Sequence, residues 1–464
     1  MKNIKQKLTK KFPFLFLVMV LISSSLLVSC DDDDDNNINE PTLTIVEIAA
    51  GAPDYSTLVS ILSLPELSDL LSAASDSNSE LTVFAPNNTA FGNLLTALGK
   101  SSVSELPISL VREIIEYHIV GAKVLSTELT NGPVNTLLTN EFVTVDLTSG
   151  VKINSSNVIA ADLEATNGVI HGIDAVLLPS FVTSALGSIS ETFMFDNDYT
   201  ILTEALRTAN LLNTVSTTQG LTLFAPSNDA FVAAGITSLD GLDAAALSPI
   251  LLYHVLGAKV LSTELPADGV ATTLSDNQNI YLGYLTNSVL INGLTQVTEV
   301  DIEKSNGVVH KINRTLVPPA PTVIDIAVAL SQVENPEFTV LVSLLTSPAY
   351  SEITQAIIDS DNITVFAPTD AAFNEISATI ATLTEAQISD VLLYHAVGAR
   401  VFSTGLSDGQ VVSMLNSQDI TVNIGTDGVS LTDTTAEAAN VVEVNIQGSN
   451  GVIHVIDKVL IPSL

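Results

Sequence analysis

At 464 residues, and with about 150 residues to a typical domain, the chain has room for roughly three separate cores. Its one cysteine, Cys30, excludes any disulfide within a molecule, so packing and hydrogen bonds must hold the fold. The 51 acidic and 16 basic residues give a formal charge of −35; recognition of phosphate backbones depends on Lys and Arg, so nucleic acid is excluded as a partner. The acidity reads as solubility and mutual repulsion, with weak divalent-cation binding as the alternative.

Five lysines, Lys2, Lys5, Lys7, Lys10 and Lys11, precede the apolar run Phe12 to Ile22 and then Ser23-Ser24-Ser25-Leu26-Leu27-Val28-Ser29-Cys30. A basic start, a short apolar stretch and small residues are the pattern of an export signal, and eleven apolar residues fall short of a bilayer span. Leu27-Val28-Ser29-Cys30 resembles a bacterial lipobox, and the only cysteine stands where that motif places the lipidated sulfur. Residues 1–29 are therefore expected to be a lipoprotein signal peptide, with Cys30 as the lipidation site and the membrane as a partner through several acyl chains. Asp31 to Asp35 and the polar residues up to Pro41 form an acidic tether over residues 30–41. The acidic run resembles a signal that carries some lipoproteins to the outer face of the outer membrane. The expected location is extracytoplasmic and membrane-anchored, at the outer membrane or the cell surface.

Beyond the tether the chain repeats itself. LTVFAPNNTAF at 81–91 returns as LTLFAPSNDAF at 221–231 and ITVFAPTDAAF at 363–373, a period of about 140 residues. EYHIVGAKVLST at 116–127 returns at 252–263 and 393–404, and NGVIHGIDAVLLP at 167–179 returns at 306–318 and 450–462. Units of this size are whole domains rather than solenoid repeats, and each is expected to fold alone. The boundaries follow: 42–183, 184–319 and 320–464, with Pro318-Pro319-Ala320-Pro321 as a short stiff spacer. Leu81 to Phe84 reads as a strand stopped by Pro86, with Asn87 or Asn88 capping the helix that follows. Asn167-Gly168, Asn306-Gly307 and Asn450-Gly451 read as hairpin turns in which both residues take positive φ. Helices mixed with mostly antiparallel strands predict an α+β fold.

All six histidines lie in the repeated blocks. Val111, Ile114, Ile115 and His118 fall at i, i+3, i+4 and i+7, as do the residues leading to His254 and His395, which places each histidine on an apolar helical stripe. His171, His310 and His454 alternate with aliphatic residues on strands. Buried, hydrogen-bonded core histidines are the expectation. Two per domain fall short of a zinc site's ligand set, so no metal or cofactor is predicted. No G-x-S-x-G, phosphate-binding glycine loop or H-E-x-x-H occurs, and no carboxylate pair recurs across the units. Repetition favours binding through avidity over catalysis.

The three blocks, in order and three times over, resemble the two conserved boxes and the Tyr-His motif of the fasciclin domain family, across nearly all of residues 42–464. The resemblance implies three tandem domains, each a β-sandwich wedge with packed helices, serving cell adhesion or matrix contact without enzymatic activity. It also implies a candidate adhesion motif: Tyr117-His118, Tyr253-His254 and Tyr394-His395, with an Asp-Ile dipeptide before the Asn-Gly turn. Asp301-Ile302 matches that dipeptide, Asp162-Leu163 is close to it, and Asn445-Ile446 lacks the charge. On the residues alone, the aliphatic member packs and the aspartate serves turn amides. The ligand is expected to be a protein or, as the alternative, a glycan bound without tryptophan, which the chain lacks.

Overall fold

A computed structural model describes residues 41–464, apart from 267–268, 277, 286–287, 320, 334–335, 427 and 436. The signal segment, Cys30 and the run Asp31 to Asp35 lie outside the described residues. Within Leu43–Leu464 each of the three units builds one seven-stranded sheet with the same strand order. In the first unit the strands are β1 (Leu81–Pro86), β2 (Ile119–Val120), β3 (Gly132–Asn135), β4 (Phe142–Asp146), β5 (Lys152–Ile153), β6 (Ser156–Ala165) and β7 (Gly168–Ile173). They lie in the order β2-β1-β7-β6-β5-β4-β3. Every pairing is antiparallel except β1 with β7, where Leu81 to Pro86 run parallel to Gly168 to Ile173.

The helices are α1 (Ile45–Gly51), α2 (Ser56–Leu62), α3 (Ser68–Ser75), α4 (Asn88–Ala97) and α5 (Ile108–Tyr117). Their termini are set locally. Thr44 and Glu47 form a capping box at α1, and the Ala90 amide donates to Asn87 at the start of α4 at 2.8 Å. Asn88 is not the cap; it accepts from Thr57 N and donates to Pro53 O, which ties α4 to α2.

Alternation along β1 sorts its side chains between two cores. Val83 and Ala85 meet Ile170 of β7 and the five helices, whereas Phe84 faces Val143, Val145, Ile153 and Ile173. The second cluster exists because β6 bends, with register shifts on either side of Ala160, and carries β3 to β5 back over β1 and β7. One continuous sheet thus closes on itself as the expected sandwich wedge. The other units repeat this division at Phe224 and Phe366.

The hairpins at Asn167, Asn306 and Asn450 depart from the turn chemistry expected of Asn-Gly. The two-residue loop is Thr166-Asn167, and Ala165 pairs with Gly168 across it. None of the three asparagines has positive φ. Asn167 is buried instead; it accepts from Ile45 N at 2.8 Å and donates to Ala74 O at 2.8 Å, holding α1 and α3 against the sheet. Asn306 and Asn450 make the corresponding bonds. The glycine is required by proximity: a Cβ on Gly168 would stand 1.9 Å from Leu81 O, and those on Gly307 and Gly451 would meet Leu221 O and Ile363 O at 2.1 and 2.3 Å.

The joints between units differ. A helix α6 (Ser180–Ala185) straddles the expected boundary at 183/184. The helix-facing core of the first unit runs without a break into the second, and Glu113 of α5 pairs with Arg207, whose guanidinium lies 4.6 Å over the Phe181 ring. The third unit has two cores of its own residues and meets the second through polar and aromatic side chains.

Candidate functional site

The Tyr-His pairs end the fifth helix of the first unit and its counterparts, and they point inward. Tyr117, Tyr253 and Tyr394 are 4, 0 and 0 % exposed, and each of the six histidines is 4 % exposed or less. His118 sits at the C-cap of α5; its Nδ1 donates to Ile114 O at 2.6 Å, and its Nε2 accepts from Leu177 N at 2.8 Å. His254 and His395 repeat both bonds. Burial disfavours the charged ring, and a proton added at Nε2 would also face an N–H donor, so all three are pushed down to about 4.

The strand histidines use the opposite tautomer. His171 Nδ1 accepts from Asp162 N at 3.3 Å and Nε2 donates to Val124 O at 3.0 Å; His310 and His454 do the same toward Asp301 N with Val260 O, and Asn445 N with Val401 O. Both ring nitrogens of every histidine are thus occupied by the protein. Among the described residues no group of three or more His, Cys, Asp or Glu is placed to hold a metal ion.

Asp162, Asp301 and Asn445 share a bulge in which φ is 58°, 60° and 63°. Left-handed backbone is tolerated by Asp and Asn because the short polar side chain bonds locally. Asp162 accepts from the Ser126 amide at 2.7 Å and from its hydroxyl, and Asp301 accepts from the Ser262 amide at 2.7 Å and its hydroxyl at 2.5 Å. Burial raises each carboxyl, but these hydrogen bonds outweigh it and leave both below the usual range. Leu163 and Ile302 pack onto the helix-facing core. The bulges also display apolar residues: Ile159 is 54 % exposed, Val300 44 % and Val442 58 %.

The hydroxyls of the Tyr-His motif mark a cleft at the end of each sandwich. Tyr117 Oη donates to Phe142 O at 2.8 Å and accepts from Asn154 Nδ2 at 3.1 Å; Tyr253 has the same partners in Asn279 O and Asn292. Tyr394 donates to Asp419 O, and burial with nearby Asp433 and Asp419 pushes its phenol up to about 12. In the first unit the cleft is open, about 580 Å³, with Tyr117 at its wall and Phe142 at its rim.

In the second unit the third reaches into it. The Arg400 guanidinium lies 4.5 Å over the Tyr281 ring, Phe402 stands 5.7 Å from the same ring, and Gln447 comes against the Tyr253 phenol. Asn445 Nδ2 donates to Gly293 O across the junction at 2.9 Å and to Ser403 Oγ at 2.8 Å. In the third unit the loop after Thr432 crosses the cleft: Asp433 accepts from Ile461 N at 2.8 Å, and Thr434 Oγ1 donates to Ile461 O at 2.7 Å.

The family model for the fasciclin domain matches residues 53–179, 197–318 and 336–462. The chain belongs to the fasciclin domain family. Human periostin is 26% identical to this fasciclin-domain protein over 387 residues, covering 82% of this chain and 43% of the relative. The pig transforming growth factor-beta-induced protein ig-h3 is 26% identical over 390 residues, covering 82% and 53%. Protein sll1483 of Synechocystis is 38% identical over 141 residues, covering 30% of this chain and 76% of that protein. The chain spans about half the length of the first two relatives.

Sequence reasoning passed over Thr82, Thr222 and Thr364. Each donates to a carbonyl at 2.6 Å and accepts an amide two residues further on, fixing the segment after the Tyr-His block. Their signal was a threonine at one position of a strand block in all three copies. The junction residues were also missed. Lys123 and Lys259 pair with Glu164 and Glu303, whereas the third copy has Arg400 and Gln447 in those places, with Asn445 nearby. Three departures from the repeat converge on one interface.

Proposed function

We propose that this protein is a membrane-anchored, extracytoplasmic adhesion or binding protein, tethered through a lipid on Cys30 and contacting a protein ligand on another cell or on matrix. The observation that carries the reading is the repeated bulge, where a fixed aspartate, Asp162 or Asp301, stands among exposed apolar residues in successive fasciclin domains. Ligand-sized apolar and charged groups side by side on a rigid hairpin suit a protein contact. Two such bulges on one chain raise avidity without new chemistry. The Tyr-His pairs act beneath the surface, as supports for the segments around them. An enzymatic role finds no support in residues whose ring nitrogens and carboxylates are already committed to the fold.

The test has an anchoring arm and a binding arm. Cys30→Ala should shift the protein from the membrane fraction to the soluble one or leave an unprocessed precursor, and protease added to intact cells should release the domains if they face outward. Beads coated with residues 41–464 should adhere to cells or matrix, and Ile159→Asp with Val300→Asp should weaken that adhesion while leaving melting nearly unchanged. Competition by soluble glycans, with no effect of the bulge substitutions, would favour the glycan alternative instead.

A further inference from the structure

The three clefts beside Tyr117, Tyr253 and Tyr394 have the same origin and three different fates, and the contrast shows what the open one accepts. The second is entered by protein side chains from the next domain, with a guanidinium 4.5 Å over an aromatic ring, and keeps an open space of about 460 Å³ beside them. In the third, Asp433 ties the domain's own loop across to Ile461. Among the described residues the first has neither cover, and its volume is about 580 Å³. We infer that the Tyr117 cleft is a docking site for a partner protein that presents an arginine from an exposed turn, a site separate from the bulges.

Two differences from the second cleft define the occupant. Glu141 stands at the rim where the second domain has the neutral Gln278. Its carboxylate accepts from Ser180 Oγ at 2.6 Å and Ser180 N at 3.2 Å, which fixes a negative charge in place. Phe142, 53 % exposed, lies two residues before Thr144 on the same face of β4. It offers the aromatic surface that Tyr281 supplies in the second domain. A fixed carboxylate beside an exposed ring suits a planar cation, and Arg combines charge-assisted hydrogen bonding with stacking where Lys offers a point charge.

A second copy of this chain does not fit in the same pose. Close docking of the third domain depends on Gly293, where a Cβ would stand 2.7 Å from Asn445 Nδ2 and 2.8 Å from Phe402. The first domain has Ser155 at that place, and the third domain's Arg400 face is already engaged. The junction of the second and third domains is therefore not copied here between two chains, and the occupant assigned is a different protein.

The test uses the full chain with labelled leucine methyls, read by NMR at Leu177 and Leu178 in the cleft wall. The probe is a cyclised octapeptide with the sequence of residues 398–405, compared with an analogue carrying citrulline in place of its arginine. Saturable shifts at Leu177 and Leu178 are expected with the arginine peptide. They should weaken about tenfold with citrulline, and about tenfold again in the parent comparison with Glu141→Gln. Phe142→Ala, a surface change, should also weaken binding without lowering the melting temperature. Equal binding of the citrulline peptide, indifference to both substitutions, or no shift at these methyls would overturn the proposal. Shifts produced by a neutral tetrasaccharide but not by the peptide would also overturn it and make the cleft a sugar site.

Discussion

His118, His254 and His395 are held neutral by a bond donated from one ring nitrogen and a bond accepted at the other. Their folded pKa of about 4 lies below the value of about 6.5 in an unfolded chain. Between those values the unfolded state binds more protons, so the stability contributed by each histidine is full above pH 6.5 and is lost as pH falls toward 4. The full effect is about 3 kcal/mol per histidine. Denaturant midpoints should therefore drop steeply between pH 7 and pH 4, and His395→Ala should remove part of that slope in residues 320–464. The same substitution leaves the Leu460 amide without an acceptor and opens a cavity, so the unfolding free energy at pH 7 should fall by about 2–4 kcal/mol. Added zinc should change neither the parent nor the variant. The burial of these residues was legible because a histidine at the end of an i, i+3, i+4 stripe has nowhere else to go. The tautomers were not, because each depends on an amide from the segment after the unit's last strand, such as Leu177 or Leu460.

At the scale of the hairpin, Gly168 and Asn167 divide the work that their dipeptide suggests they share. Gly168→Ala would drive a methyl against Leu81 O and part β1 from β7, so it should cost about 3 kcal/mol or more and reduce soluble yield. Asn167→Ala strands the Ile45 amide and the Ala74 carbonyl at a buried site, which should cost about 2–3 kcal/mol and expose α1 to hydrogen exchange first. An Asn167→Ala protein as stable as the parent would show that the hairpin needs only a turn residue there. The long elements were readable in advance: β1 by its alternation and proline, α5 by its apolar period. The two-residue strands β2 and β5 are too short for any period to mark. The parallel pairing of β1 with β7 joins segments far apart in sequence and leaves no local trace. The cleft assembles side chains from β4, the β5–β6 turn and the segment after β7, so it too was invisible until the sheet folded back on itself.

For the whole molecule, the unequal joints predict unequal independence. Residues 320–464 own both their cores and should melt cooperatively as a fragment, whereas residues 42–183 alone would expose the apolar surface they share with the second domain. Asn445→Asp is nearly isosteric but sets an anion against Gly293 O. It should loosen the junction between the second and third domains, seen as a larger radius of gyration in X-ray scattering and faster proteolysis near Pro318. The melting of the fragment 320–464 should stay close to that of the parent fragment. Unchanged scattering would mean that the Arg400 and Phe402 contacts hold the junction without Asn445. The missing charge at Asn445, which looks like decay of an adhesion motif when that copy is read by itself, is what the junction requires.

The parallel ladder also governs time. In each domain the strand that completes the sheet is among the last to leave the ribosome: Gly168–Ile173, Gly307–Ile312 and Gly451–Ile456. Until it arrives, the first strand lacks its central neighbour and the asparagine that clamps the helices has not yet appeared. Closing contacts between the two ends of a unit is slow compared with forming local ones. Each domain therefore carries its own delay, and its sheet cannot close until almost the whole unit has emerged.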